Sequence, residues 1–113
     1  MCEPLHILFV CGKNQWRSPT GEAIYKNDQR FRVRSAGLSK VAKRRLSLSD
    51  LEWADLVFVM EREQKRRIIQ GYSGKELPEI VSLDIPDRYP YMDEELIELL
   101  RLGTEAELDL WEA

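Results

Sequence analysis

A run of apolar residues of strand length leads into a short polar loop and then a helix start, and this order at residues 5–25 constrains the fold more than any other feature. The run over residues 5–10 predicts a buried strand. Ser18 and Pro19 are a favoured N-cap and first-turn pair, so they predict a helix over residues 18–30. A loop that closes on a helix N-terminus directs several backbone N–H groups and a partial positive charge at one point. The segment is therefore suited to hold a phosphate-like dianion.

This loop carries a thiol at one end and a guanidinium at the other, because Cys11 begins it and Arg17 follows six residues later. An Arg at that spacing also arises by chance, so the order of strand, loop and helix carries most of the argument. A thiol at a helix N-terminus beside Arg is favoured as the thiolate, a strong nucleophile, and Arg suits the oxygens of a phosphoryl group. The alternative for Cys11 is a buried core thiol at a strand end.

Short apolar runs alternate with amphipathic stretches along the rest of the chain. Ala23 and Ile24 are expected to face the core from the first helix. Further strands are predicted over residues 31–35, 56–60 and 79–83, and helices over residues 61–70 and 93–102. Asp93 suits the cap of the latter helix, Ser49 with Glu52 suits a capping box, and Thr104 with Glu107 suits the start of a last short helix.

Strands separated by helices imply right-handed crossovers. We therefore predict an α/β fold, a three-layer sandwich with a central parallel sheet of about four strands and helices on both faces. One domain is expected over residues 1–113. In such sheets ligands bind at the carboxyl ends of the strands, where Cys11 lies.

Composition excludes several classes of protein. A net charge of −3 gives no case for nucleic acid as a partner, and no apolar run has the length that spans a membrane. The only cysteines are Cys2 and Cys11, and no Cys/His cluster exists, so we expect neither a metal site, a cofactor nor a disulfide scaffold. A reduced, cytoplasmic setting fits this cysteine usage best.

If Cys11 attacks phosphorus, the oxygen that leaves needs a proton. The segment after the last predicted strand offers candidate donors. Asp84 and Asp87 both follow that strand and both are candidates, although Asp beside Pro also makes simple turns. Tyr89 and Tyr91 are candidates for the wall of a pocket that stacks on an aromatic substrate, or for half-buried loop packing. The basic segment over residues 40–45 suits either the steering of a phosphorylated substrate or, more simply, a solvated loop.

Taken together, these pieces resemble the low-molecular-weight protein tyrosine phosphatases. The resemblance runs through Val10-Cys11, Asn14, Arg17-Ser18-Pro19-Thr20 and Glu22-Ala23, then Ser35-Ala36-Gly37, the segment 54–61 and Ile85-Pro86-Asp87-Arg88-Tyr89. The pieces occur in the family's order and cover most of the chain.

The resemblance implies a role for each matched residue. Cys11 would be the nucleophile, Arg17 the phosphate clamp, and Asp87 the acid that protonates the leaving group and later activates water. Asn14 would hold the loop in shape and Ser18 would donate a hydrogen bond to the thiolate. The loop residues that surround the phosphate would be Gly12, Lys13, Asn14, Gln15, Trp16 and Ser18. The reaction would pass through a phosphocysteine without a metal, because the loop amides and Arg17 stabilise the equatorial charge.

Four departures from the family pattern affect what the resemblance implies. Gly12 directly follows the Cys, where the family usually has Gly one residue later, and Arg88 replaces the Pro of the acid motif. Trp16 occupies the position at which many members carry a second, protective Cys. The chain is also shorter than usual between Gly37 and Leu51, so substrate preference does not transfer.

The leading hypothesis is thus a phosphatase that hydrolyses phosphotyrosine, in a protein, or a small aryl phosphate, with phosphate as product or inhibitor. A non-catalytic phosphate or phosphotyrosine binding module and a phosphocysteine carrier are alternatives. An arsenate reductase is a weaker one, because such enzymes relay oxidation through further cysteines and only Cys2 is available.

Overall fold

Four strands and four helices alternate along residues 3–112, which are the residues that the computed structural model describes. The elements are β1 (Leu5–Cys11), α1 (Arg17–Tyr25), β2 (Phe31–Gly37), α2 (Leu48–Trp53), β3 (Leu56–Val59), α3 (Arg62–Gly71), β4 (Glu79–Ser82) and α4 (Glu94–Glu112). The strands form one parallel sheet in the order β2-β1-β3-β4. This confirms the predicted α/β fold. No helix within the described residues is long and apolar enough to cross a membrane.

The alternation of side chains along β1 divides the core into two layers. Ile7 and Phe9 lie in a cluster with side chains of α1 and α4, whereas Leu8 and Val10 lie in a second cluster with side chains of α2 and α3. All four are fully buried, and each such side chain contributes about 1.5–3 kcal/mol through removal from water. The sheet therefore has helices on both faces, and β1 is fixed firmly at its centre.

The strand order places Cys11 beside the topological switch point of the sheet. The chain passes from β1 to the neighbouring β2 on one side and then returns to β3 on the other side of β1. In open parallel sheets the crevice at this point, outside the carboxyl ends of the strands, is where ligands bind. The loops that follow the four strands all begin at that edge.

The first helix is shorter than predicted. It ends at Tyr25, and residues 26–30 form a turn in which Asp28 accepts hydrogen bonds from the backbone and side chain of Arg30. Those hydrogen bonds hold the pKa of Asp28 below its usual value. The expected core-facing residues also shift: Tyr25 is fully buried, whereas Ile24 packs at the edge of the core and Ala23 is only partly buried.

The capping box of α2 lies two residues earlier than predicted. Ser47, rather than Ser49, is the N-cap, and Asp50, rather than Glu52, closes the box. Tertiary contacts explain the position of the box, because Asp50 is buried and also forms ion pairs with Arg34 and Arg44.

A single helix, α4, occupies the region for which two helices were predicted. Asp93 caps it as expected, because its carboxylate accepts from the N–H groups of Glu95 at 3.1 Å and Leu96 at 3.2 Å. Gly103 and Thr104 lie within this helix and do not interrupt it. A Cβ atom at position 103 would lie 2.7 Å from a methyl carbon of Leu83, so this glycine permits close approach of the helix to the sheet edge.

Candidate active site

Cys11 is the last residue of β1 and is almost completely buried. The chain then turns through residues 12–16 into α1, which begins at Arg17. Asn14 in this loop has φ of +53°, in the left-handed region that Asn adopts more readily than most residues. The loop thus curls over the end of the strand that carries the thiol, and we call residues 12–17 the phosphate loop.

The backbone N–H groups of the phosphate loop are available for an anion. Within the part of the chain that the structure describes, none of the N–H groups of residues 12–17 donates a hydrogen bond to another residue. Successive free N–H groups beside a helix N-terminus form an anion-binding concavity. The local structure predicted from sequence is therefore present at this position.

Ser18 does not cap the helix as predicted. Trp16 occupies the N-cap position without a side-chain cap hydrogen bond, and the Ser18 hydroxyl points instead to the Sγ atom of Cys11 at 2.9 Å. The same hydroxyl lies 3.3 Å from the carbonyl oxygen of Ala36. Ser18 has one proton for these two acceptors, so a thiolate at Cys11 would draw it to sulfur, whereas a thiol would donate to Ser18 Oγ and leave that proton for Ala36.

The side-chain amide of Asn14 connects the phosphate loop to β2. Its Nδ2 atom donates to Ser18 Oγ and to Ser35 Oγ, both at 3.0 Å, and Ser35 donates in turn to Glu22 Oε1 at 2.5 Å. Both protons of the amide are therefore used inside the protein. This network fixes the strained residue of the loop and orients the oxygen of Ser18 that faces Cys11.

A second layer of backbone hydrogen bonds supports the phosphate loop from the segment after β2. The N–H groups of Leu38, Ser39 and Lys43 donate to the carbonyl oxygens of Cys11, Gly12 and Lys13, at 3.0, 2.8 and 3.2 Å. These bonds point the carbonyl groups away from the anion site. The side chains of Lys40, Lys43 and Arg45 are solvent-exposed, as expected for a solvated loop. Arg44 instead donates to the carbonyl oxygen of Ser35 at 2.8 Å and pairs with Asp50.

Gly37 allows this close contact. A Cβ atom there would lie 2.7 Å from the carbonyl oxygen of Gly12, 2.9 Å from the amide nitrogen of Asn14 and 2.6 Å from the Cβ of Ala42. Such distances are too short for any side chain, so the end of β2 must be glycine for the loop to pack as it does.

Arg17 is buried, with its charge satisfied from two other loops. Its Nη1 atom donates to Glu61 Oε2 at 2.7 Å and to the carbonyl oxygen of Ile85 at 2.8 Å. Sequence reasoning did not single out Glu61, which lies 44 residues away along the chain. Its position two residues after β3, at the same sheet edge as Cys11, is the signal that would have pointed to it.

One pocket at this edge contains both the thiol and an acid. Its lining residues are Cys11, Lys13, Gln15, Trp16, Arg17 and Asp87. Asp87 Oδ1 lies 3.6 Å from Arg17 Nε, and the side chain of Asp87 is largely solvent-exposed. Asp84 is not among the lining residues, and its carboxylate accepts from Ser82 Oγ at 2.6 Å and lies 3.5 Å from Arg62 Nη2. The two candidate acids thus occupy different environments.

The two tyrosines that were candidates for the pocket wall also lie in different environments. Tyr91 is exposed and lines an adjoining groove together with Trp16, Pro19 and Lys43. Tyr89 is packed into the core beneath the loop and lines neither the pocket nor the groove.

Comparison with solved structures identifies the fold. The chain has the fold of low-molecular-weight protein tyrosine phosphatases. It is similar to the SP-PTP low molecular weight protein tyrosine phosphatase of Streptococcus pyogenes, with a TM-score of 0.75 and 17% identity over 93% of this chain and 91% of that one. It is also similar to the YwlE arginine phosphatase of Geobacillus stearothermophilus, with a TM-score of 0.70 and 24% identity over 96% of this chain and 97% of that one.

A third similar structure is the tyrosine phosphatase Wzb of Escherichia coli K30 in complex with phosphate. Its TM-score is 0.67 at 19% identity, and the alignment covers 96% of this chain and 98% of that one. No family model matches the chain, and no curated protein matches it in sequence.

Proposed function

We propose that this protein is a phosphoric monoester hydrolase that cleaves phosphotyrosine, or another aryl phosphate, through a phosphocysteine intermediate. One observation carries the proposal: Cys11, Arg17 and Asp87 line the same pocket, over a loop whose N–H groups are free. A nucleophile, an anion clamp and an acid in one cleft are the three parts that phosphoryl transfer to sulfur requires.

The first step transfers the phosphoryl group to sulfur. The thiolate of Cys11 attacks phosphorus, the bond between phosphorus and the aryl oxygen breaks, and Asp87 donates its proton to that oxygen. The free N–H groups of the phosphate loop and the guanidinium of Arg17 stabilise the charge on the three equatorial oxygens. The hydroxyl of Ser18 stabilises the thiolate both before attack and as the leaving group of the second step.

The second step returns the enzyme to its starting state. Asp87, now a carboxylate, removes a proton from a water molecule that attacks phosphorus, and the bond between sulfur and phosphorus breaks. Inorganic phosphate leaves, the Cys11 thiolate is restored, and Asp87 is protonated again. No resident cofactor takes part in this scheme, because the loop amides and Arg17 stabilise the developing charge.

The groove beside the pocket supports an aromatic substrate. Trp16 and Tyr91 expose 41% and 53% of their surface at the mouth, where a phosphorylated ring has an apolar face to pack against. A phosphorylated protein and a small aryl phosphate both meet this requirement. A reduced, cytoplasmic setting would keep the Cys11 thiol available for catalysis.

Phosphoarginine is a second candidate substrate. YwlE of Geobacillus stearothermophilus is named an arginine phosphatase, and in this chain two partly exposed carboxylates, Asp87 and Glu61, both pair with the pocket residue Arg17. Carboxylates there would pair with the guanidinium group of a phosphorylated arginine.

The remaining alternatives make different use of the same loop. A binding module or carrier would hold phosphate or a phosphoryl group without needing the acid at Asp87, so the presence of Asp87 in the pocket favours turnover. An arsenate reductase would need a second thiol. Cys2 lies outside the described residues, and Cys11 is the one free cysteine within them.

Two matched peptides test this proposal, one phosphorylated on tyrosine and one on arginine, incubated with the wild type and with Cys11→Ser. We expect phosphate release from the phosphotyrosine peptide by the wild type only. Faster release from the phosphoarginine peptide would make the second candidate the substrate. Binding of phosphopeptide by a wild type that releases no phosphate from either would instead identify a binding module.

A further inference from the structure

The loop that carries Asp87, residues 85–92, is fastened at both of its ends. At its start, the N–H of Ile85 donates to the carbonyl oxygen of Met60 at 2.8 Å, and the carbonyl of Ile85 accepts from Arg17. At its other end, the N–H of Met92 donates to the hydroxyl oxygen of Thr20 at 2.9 Å. Within residues 3–112 the carboxylate of Asp87 has only its 3.6 Å ion pair with Arg17, so its position depends on the backbone of this loop.

Thr20 is buried within α1, and its hydroxyl is used twice. It donates to the carbonyl oxygen of Trp16 at 2.6 Å, a bond of the kind that Thr often makes to the preceding helical turn. Because the proton is committed there, the oxygen lone pairs remain to accept from Met92. Trp16 is the last phosphate-loop residue before Arg17 and the helix. One hydroxyl group therefore joins the end of the phosphate loop to the end of the loop that carries the acid.

The conformation of Met92 makes this bond consequential. Met92 has φ of +63°, in the left-handed region, which costs a non-glycine residue about 1–2 kcal/mol. The side chain of Met92 is substantially exposed, so packing does little to hold it there. A hydrogen bond from its N–H to a rigid, buried partner compensates for that cost.

We propose that Thr20 is a positioning residue: its hydroxyl holds the Asp87 loop at a fixed distance from the phosphate loop and so places the Asp87 carboxyl for proton transfer. The inference rests on the proposed function. Thr20 does not contact the thiol and does not line the pocket. The carbonyl of Trp16 also accepts from the backbone N–H of Thr20 at 3.1 Å, so loss of the hydroxyl leaves that residue held and acts through the Asp87 loop.

The test uses Thr20→Val, which keeps the size and branching of the side chain but removes the hydroxyl, and Thr20→Ser, which retains it. Thr20→Val should lower kcat/KM for phenyl phosphate, a substrate with a poor leaving group, by about tenfold, the equivalent of one hydrogen bond. It should change kcat/KM for p-nitrophenyl phosphate, whose leaving group needs little protonation, and the inhibition constant of phosphate by less than about twofold. Thr20→Ser should restore the rate with phenyl phosphate.

A double-mutant cycle separates positioning from a general loss of structure. In an Asp87→Asn background, Thr20→Val should have no further effect on the phenyl phosphate rate, because the group that it places is already gone. An undiminished tenfold loss in that background, or equal losses with both substrates, would overturn the inference.

Hydrogen exchange at the Met92 amide tests the contact without any turnover. Protection in the wild type and in Thr20→Ser, with its loss in Thr20→Val, would support the connection, whereas equal exchange in all three would overturn it. Absence of Cys11-dependent hydrolysis in the wild type would refute the proposed function instead, and the exchange result would still decide whether Thr20 holds the loop.

Discussion

The Sγ atom of Cys11 and the Oγ atom of Ser18 lie 2.9 Å apart in a contact that is shielded from solvent. Ser18 is fixed on its other side by Asn14, which donates to the same hydroxyl oxygen at 3.0 Å. Ser18 Oγ thus already accepts from Asn14, and its own proton is free to be donated to a thiolate at Cys11. The first turn of α1 therefore places a hydrogen-bond donor where a thiolate at Cys11 would need one.

Removal of this hydroxyl should make Cys11 a poorer nucleophile. A hydrogen bond to a charged group contributes about 1.5–3 kcal/mol, so Ser18→Ala should slow alkylation of Cys11 by iodoacetamide at neutral pH by about tenfold or more. Ser73→Ala, at an exposed position away from the site, is the control. Equal alkylation rates in Ser18→Ala and wild type would show that the contact does not stabilise the thiolate.

Substitution of the two candidate acids should have unequal effects. Because Asp87 lines the pocket and Asp84 is held by Ser82, Asp87→Asn should lower kcat/KM for phenyl phosphate by about 100-fold. The loss should be smaller for p-nitrophenyl phosphate, whose leaving group needs less protonation. Asp84→Asn should change either rate by less than about threefold. The reverse ranking would assign the acid role to Asp84.

The close contact at Gly37 predicts a position where even one methyl group is not tolerated. Gly37→Ala should lower the free energy of unfolding by about 1–3 kcal/mol, and it should weaken phosphate binding because the added atom meets the phosphate loop. Gly71→Ala is a suitable comparison, since a Cβ atom there would meet nothing within 4 Å. Chemical denaturation and phosphate titration of both variants measure the effect, and wild-type values for Gly37→Ala would contradict it.

Asp50 predicts how stability depends on pH. Burial alone would raise the pKa of this carboxyl, but hydrogen bonds from Arg44 and Ser47 outweigh burial and hold it below its usual value. A lowered pKa in the folded state stabilises the protein above the ordinary carboxyl range, and that stabilisation is lost as the pH falls below about 4. Asp50→Asn should therefore cost about 3 kcal/mol at pH 7, because a buried charge pair is broken.

The cost of Asp50→Asn should shrink as the solution is acidified. Urea denaturation at pH 7 and at pH 3 measures it, with Asp109→Asn, at an exposed position, as the reference. A cost that is the same at both values of pH would show that the charge of Asp50 is not what stabilises α2 and the segment beside it.

The sequence predicted the central part of this molecule because that part is local. The apolar run, the loop from Cys11 to Arg17 and the helix that follows are adjacent in the chain, and β1, the phosphate loop and the start of α1 lie where those signals placed them. Asp93 was predicted as a helix cap for the same reason, since a cap contacts only the next three residues.

The features that sequence reasoning missed depend on contacts between different elements of the fold. Ser18 is a residue type that often caps helices, but its hydroxyl instead contacts the thiol of Cys11 at the end of β1. Gly103 is a residue type that often ends helices, but α4 continues through it. A small residue is needed there because the helix packs closely against Leu83 at the sheet edge. The pairing of Arg17 with Glu61 likewise follows from the strand order, which spacing alone does not reveal.

The most direct test of the account is hydrolysis of p-nitrophenyl phosphate between pH 5 and 8 in the presence of a metal chelator, by the wild type and Cys11→Ser. We predict turnover by the wild type that the chelator does not reduce and that is absent in Cys11→Ser, while the variant still binds phosphate. A folded wild type that binds phosphate but releases no nitrophenol, or a Cys11→Ser variant as active as the wild type, would contradict covalent catalysis at Cys11.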